Sequence, residues 1–234
     1  MVLGLDRLGG VRDASQGESR PIHLQAATWV HADATTTLVQ SVTVADAVDR
    51  ILLVAVMVGG PCGTLDAQVI GVTFGGQPLT PLASIVGTPC GSTSTRSEQW
   101  ILVSPAVGTS PVVVTLSLAT PSLHSAAMAL ENVDQTQPVR ATQQASGVGT
   151  LSMVTVASAL DDLVVNTVGQ GSHILAPADG STTVFLGNVD STTTLNNSAG
   201  STRAGSAPSV TSTWSFGADD EWQTISTSFR PNTP

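Results

Sequence analysis

Cysteine and histidine are the residue types here best able to hold a metal or supply a nucleophile, and their spacing decides between those uses. Cys62 and Cys90 are the only thiols, each inside a Pro-Cys-Gly triplet, with 27 residues between them. A structural zinc site takes about four ligands, and neither cysteine has a C-x-x-C partner or an adjacent histidine. Both lie in Pro- and Gly-rich stretches that flank a hairpin expected over residues 68–86, and a hairpin returns the chain to the end where it began. The two loops are therefore expected to be neighbours. A disulfide is the first expectation, two free buried thiols the second, and metal binding or catalysis the remainder. Closing that loop would stabilise the fold by about 3.6 kcal/mol in the chain-entropy estimate. Disulfides persist outside the reducing cytosol.

The histidines His23, His31, His124 and His173 form neither HxH nor HExxH. His23 and His31 can share a sheet face, but eight residues of strand hold them about 26 Å apart. Solvent-facing or hydrogen-bonded roles are expected, not metal ligation. Acidic residues group at Asp161-Asp162 and Asp219-Asp220-Glu221, with Asp134 and Asp190 in polar turns. Calcium wants roughly six to eight oxygen ligands. Without EF-hand-like spacing, Asp161 and Asp219 are expected to open turns before strands. No GxSxG marks a serine nucleophile. Gly59-Gly60 and Gly75-Gly76 read as turn glycines, because no helix follows whose N-terminus could receive a phosphate. No catalytic residue, metal ligand or cofactor motif emerges, and a non-enzyme is expected. Trp100 and Trp222 fall within predicted strands and are assigned to the core. Trp29 and Trp214 remain as candidate platforms for a sugar ring.

The elements that must position these residues are strands. Of 234 residues, 41% are hydrophobic and only 11% charged, a balance that favours a packed core over disorder. β-Branched residues come in short runs broken by Gly, Pro, Asn and Asp, and no window carries a helical stripe. Strands are expected at 22–30, 36–45, 50–58, 68–74, 79–86, 97–103, 111–118 and 123–131. Further strands are expected at 138–145, 150–157, 162–169, 183–187, 192–198, 208–216 and 221–230, with long loops and short strands through 170–208. The longest apolar run, Ile51 to Val58, falls far short of the roughly 20 residues of a membrane-spanning helix and reads as a buried strand. The net charge is −9, and the eight basic residues, all Arg, are scattered, which argues against a nucleic-acid surface. Asp6 and Arg7 stand where a secretory signal would carry its apolar stretch, so no signal peptide is expected. Residues 1–20 read as a Gly-rich extended arm and residues 21–234 as a single all-β domain, a two-sheet antiparallel β-sandwich.

Six phrases in order, running from Arg50 to Pro231, carry a family resemblance that covers roughly residues 36–231: RILLVAVMV, VIGVTFGGQPLT, SEQWILVSPAVGTSPVVVTLS, ALENVDQTQPV, ASALDDLVVNTVG and GADDEWQTISTSFRP. The chain resembles a jelly-roll-like β-sandwich domain that recurs in bacterial extracellular and phage-related proteins. The resemblance implies a fold and no catalytic residues. Cystine chemistry without an export signal fits a virion protein, made in the cytoplasm and released by lysis. The expectation is thus a phage capsid decoration or cement protein whose arm residues Val2, Leu3, Leu5, Leu8 and Val11 bury themselves in neighbouring subunits. Its expected partners are other virion proteins and further copies of itself, with no nucleic acid, membrane or cofactor. A tail or fibre component, or a secreted or cell-surface carbohydrate-binding or adhesive module that takes a surface glycan, is the alternative.

Overall fold

The computed structural model describes residues 19–61, 66–87, 93–171, 173–189 and 196–233. Within them every regular element is a strand: β1 (His23–Ala32), β2 (Thr35–Val44), β3 (Ile51–Pro61), β4 (Val69–Phe74), β5 (Gln77–Pro78), β6 (Thr80–Val86), β7 (Thr93–Val103) and β8 (Gly108–Thr120). They continue with β9 (Ser122–Glu131), β10 (Val139–Ala157), β11 (Leu163–Gln170), β12 (Ile174–Pro177), β13 (Thr182–Gly187), β14 (Asn197–Ala204) and β15 (Ser209–Phe229).

These strands form three antiparallel sheets, where the sequence suggested two. The first runs β2-β8-β4-β5, the second β1-β9-β3-β7-β6, and the third β10-β15-β11-β14-β13 with β12 beside β15. The run Ile51 to Val58 explains the extra layer. Leu52, Val54, Val56 and Val58 pack towards Val42, Val72 and Val114 of the first sheet. Ile51, Leu53, Ala55 and Met57 pack towards Val165, Phe185 and Phe229 of the third. A strand that is apolar at every position is covered on both faces, whereas alternating strands such as β2 keep one face outward.

The third sheet also doubles over itself. Ala141 and Val156 of β10 meet in one cluster with Val164 and Val210, although a straight strand would hold them about 50 Å apart. The bend lies where the β10–β15 register breaks, between Gly149, at φ +146°, and Leu151. Beyond it, a ribbon of residues 151–157 and 209–216 folds back onto β11 and the far half of β15. The layers therefore run first sheet, second sheet, third sheet, ribbon.

Two local expectations change. Gly75 and Gly76 do make a tight turn with positive φ, but only Phe74↔Gln77 and Thr73↔Pro78 pair across it. The chain then crosses to the second sheet, where β6 pairs with β7. Gly59 and Gly60 lie inside β3 and not in a turn. At Gly59 an added Cβ would come within 2.7 Å of Asn196, so close packing requires the glycine there.

Candidate functional site

Alternation along β1 turns Trp29 and His31 to one face, and the β1–β9 register sets His31 opposite His124. Ser122 precedes His124 by two residues on β9, and Ser198 reaches in from β14 of the third sheet. Trp29 and His31 lie nearly parallel, 7° apart in plane, with centroids separated by 6.5 Å. His124 meets both edge-on, at 5.5 Å and 4.6 Å. The Trp29 indole N–H donates to Ser198 Oγ at 2.8 Å, and that oxygen lies 2.8 Å from His124 Nδ1. His124 Nε2 is 3.1 Å from Ser122 Oγ. Burial, and then neighbouring His31, push His124 down to about 3 against a backbone hydrogen bond to Asn196. A neutral imidazole has one N–H and one bare nitrogen, which suits a ring held between two hydroxyls.

Asp33, His31 and Ser122 are the residue types of a hydrolytic triad, and their geometry separates them from one. Asp33 Oδ1 lies 2.9 Å and Ser122 Oγ 3.3 Å from the same nitrogen, His31 Nε2. In a triad the acid and the nucleophile take opposite nitrogens, so that the acid fixes the tautomer. Ser122 is also buried. The cluster ties the edge strand β1 to β9 and β14.

A second polar centre lies at the same end of the layers, where β3, β6 and β11 finish and β7, β9 and β14 begin. Here β15 turns Glu221 and Gln223 towards the second sheet. Gln223 Nε2 donates to Glu221 Oε1 at 3.0 Å, and Thr95 Oγ1 bonds Gln223 Oε1. Gly87 packs so tightly that an added Cβ would meet Glu221 Oε1 at 1.5 Å. Burial pushes the Glu221 carboxyl up to about 7, against a backbone hydrogen bond from Thr95 and with a further push from Asp220. Two other buried acids have cations. Burial raises Glu98, opposed by the Trp100 indole at 2.9 Å and Arg96 at 3.6 Å. Burial alone would raise Asp162 too, yet Arg140, bound through two nitrogens at 2.5 and 3.0 Å, and the Ala159 N–H hold it below the usual carboxylate range. Glu221 has no salt-bridge partner among the described residues.

The residues singled out in the sequence distribute unevenly. Trp214, expected as a sugar platform, is instead fully buried on the inner face of the ribbon, and its indole N–H donates to Asn166 Oδ1 at 2.7 Å. Alternation along 209–216 sends Val210, Ser212, Trp214 and Phe216 inward, so no sugar ring can reach it. Trp29 is half-buried and packs on Gly187, where a Cβ would come within 2.1 Å of the indole. Trp100 is buried in the core, and Trp222 packs partly buried against the cluster that contains Trp214. Asp134 does hold a turn, accepting from the N–H groups of Thr136 and Gln137. Asp219 opens no turn before a strand, since it lies within β15 at its bend. Among the described residues no group of three or more His, Cys, Asp or Glu is placed to hold a metal ion.

Cys62, Cys90, Asp190 and the arm residues Val2, Leu3, Leu5, Leu8 and Val11 lie outside the described residues. The flanks of the cysteine segments are informative all the same. Pro61 and Thr93 are register partners at the end of the β3–β7 pair. That pairing, and not a 68–86 hairpin, brings together the two chain ends from which the segments leave.

Sequence reasoning missed the meeting of His31 with His124. The partners sit on strands far apart in the chain, and no local spacing signals them. The comparisons with known proteins add no family: no family model matches the chain, and no curated protein does.

Proposed function

We propose that the protein is a non-catalytic virion structural protein, a phage capsid decoration or cement protein of the jelly-roll-like kind it resembles. It clamps neighbouring subunits through its N-terminal arm. The observation that carries this reading is the fixed root of the arm. Ser19 Oγ donates to Asp161 Oδ2 at 3.1 Å, Asn132 Nδ2 donates to the Pro21 carbonyl at 2.9 Å, and Ile22 is buried between the second and third sheets. A surface cavity of about 250 Å³, lined by Ser19, Asp134, Arg140, Asp161 and Arg230 among others, opens beside this root.

Residues 1–18 thus start from an anchored point. Fully extended they reach about 60 Å, against a radius of gyration of about 17 Å for a body of this size. An arm of that reach can cross to an adjoining subunit. Burial of Val2, Leu3, Leu5, Leu8 and Val11 there would contribute about 25 cal/mol per Å² of apolar surface removed from water, before ordering costs. The layered body supplies a rigid base for such a clamp. The glycan-binding alternative retains Trp29 alone.

Deletion of residues 2–18 tests the proposal. The shortened chain is expected to fold with an unchanged unfolding midpoint and to lose its attachment to particles. Undiminished attachment would refute the clamp.

A further inference from the structure

We propose that Thr95 and Gln223 become joined by an intramolecular ester, formed by the folded chain itself with release of ammonia and with Glu221 carrying the proton between them. Such a bond ties the second sheet covalently to the third. It concerns the body of the protein and stands apart from the arm and its clamp.

Alternation along β7 turns Thr95 and Gln99 towards the third sheet, and alternation along β15 turns Glu221 and Gln223 to meet them. Thr95 and Gln223 are fully buried, and Glu221 is 2% exposed. Thr95 Oγ1 bonds Gln223 Oε1, which sets the hydroxyl against the carboxamide, whose carbon is one bond beyond that oxygen. Glu221 Oε1 reaches both reacting groups: it accepts from Gln223 Nε2 at 3.0 Å and lies 3.5 Å from Thr95 Oγ1. Gly87 makes room for this arrangement, since an added Cβ would collide with both Glu221 Oε1 and Gln223 Nε2. Ser97, two residues beyond Thr95, has a buried hydroxyl with no hydrogen-bond partner. Ser97 Oγ and Gln223 Oε1 both flank Gly169, at 3.1 and 3.4 Å from the place its Cβ would take.

A hydroxyl, an amide and a carboxyl that touches both are the parts of an acyl transfer. Ionised Glu221 draws the proton from Thr95 Oγ1, and that oxygen attacks Gln223 Cδ. The Ser97 hydroxyl is placed to donate to Oε1 as negative charge gathers there. Collapse of the tetrahedral centre breaks the Cδ–Nε2 bond, and Glu221 returns the proton to the departing nitrogen. The Oγ1–Cδ bond thus replaces the Cδ–Nε2 bond, the hydroxyl hydrogen leaves in ammonia, and nothing is oxidised or reduced. Burial pushes the Glu221 carboxyl up to about 7, so both of its protonation states are populated near neutral pH, as a group that takes and returns one proton requires. The fold holds the reacting groups together beforehand, which replaces a bimolecular encounter. The released ammonia is diluted in bulk water, whereas hydrolysis needs a water held where all three residues are buried. A second pair marks what Glu221 adds. Thr227 Oγ1 donates to Gln99 Oε1 at 2.6 Å, equally buried, but Gln99 Nε2 faces Thr167 Oγ1 and the Ile225 carbonyl, and among the described residues no carboxylate bonds it. That pair should stay unlinked.

Mass spectrometry of the purified full-length chain, with its cysteines reduced, tests the proposal. The folded protein should be lighter than its sequence by one ammonia. Chain kept in denaturant from synthesis should have the full mass and lose ammonia on refolding. Trypsin cuts this chain only at Arg, so peptides 51–96 and 204–234 should travel as one species until hydroxylamine cleaves the ester. Thr95→Val should keep the full mass, whereas Thr95→Ser, which retains a hydroxyl, should still lose ammonia. Glu221→Gln keeps the shape of the side chain without its acid and should slow the loss by at least about a hundredfold. A cooperative urea transition checks that each variant folds. Where Thr95→Val does not fold, the refolding time course of the parent chain and its linked peptides decide the matter alone. A folded parent chain of full mass overturns the proposal. So does loss of ammonia in folded Thr95→Val, an undiminished rate in Glu221→Gln, or a link that maps to Gln99 and Thr227. Particle attachment by a chain of full mass would leave the clamp standing and remove only this inference.

Discussion

Removal of the Trp214 side chain probes the folded-back ribbon directly. The indole is fully buried and is the largest wholly buried side chain of the described structure, wedged among Val168, Ile174, Ala199 and Phe216. Trp214→Ala should cost about 3–5 kcal/mol through lost transfer energy and the cavity left behind. It also strips Asn166 Oδ1 of its indole donor, a further cost of about 1–3 kcal/mol if that oxygen stays dry. Trp214→Phe keeps most of the ring and should lose mainly the hydrogen-bond part. Because the ribbon rests on only two small apolar clusters, the loss should concentrate there. Hydrogen exchange of the Val154, Val156 and Val210 amides should accelerate by at least about a hundredfold, a change of roughly 3 kcal/mol in local opening. Amides of β3, buried between the first and third sheets, should change much less. Urea unfolding reports the global part. A loss below about 1 kcal/mol, with ribbon exchange unchanged, would mean that Trp214 does not pin the ribbon as described.

Two further outcomes follow from the end of the layers where β3 finishes and β7 begins. The partnering of Pro61 with Thr93 predicts that Cys62 and Cys90 are joined in protein purified without reductant, seen as a mass two hydrogens lighter than the reduced chain. Reduction should then lower stability by about 3–4 kcal/mol, and free thiols under oxidising conditions would contradict the pairing. The folded-state pKa of Glu221, about 7, lies above its ordinary value of 4.5, so the folded form holds the proton more tightly than the unfolded form. Its contribution to stability is full below pH 4.5 and declines as pH rises to about 7. Glu221→Gln should flatten that stretch of a stability-against-pH curve, and a curve identical to that of the parent chain would remove Glu221 as its cause.

How far the fold can be read from the sequence depends on which chemistry fills each layer. The β3 run is apolar at every position, and such a run reports a strand buried on both faces. The far half of β15 is as deeply buried, yet it reads Gln-Thr-Ile-Ser-Thr-Ser, which hydrophobic patterning assigns to a surface. Its hydroxyls and amides are satisfied across the layers, Thr227 by Gln99 and Ser226 by Asn166 and Ser212. A strand buried through hydrogen bonding leaves no apolar signature, so the third sheet's inner position stayed hidden. The same limit applies to β14, where Asn197 to Ser201 resemble a loop and are buried in the sheet. Breaks expected near 146–149 and 217–220 mark real features, but each is the bend of one continuous strand and not a gap between two. At the candidate site the residue types were visible and their company was not. Trp29, His31 and His124 meet only through the β1–β9 register, and Trp214 faces inward only because the ribbon folds over.

Attachment to a particle is the most direct test of the functional account. Particles from a lysate of the native host are banded in a density gradient, stripped of the protein, and offered the purified full-length chain or the chain lacking residues 2–18. The account predicts that the native protein bands with particles at a fixed copy number, that the full chain rebinds, and that the shortened chain stays at the top of the gradient. A native protein absent from every particle band, or a shortened chain that rebinds as well as the full one, would contradict it.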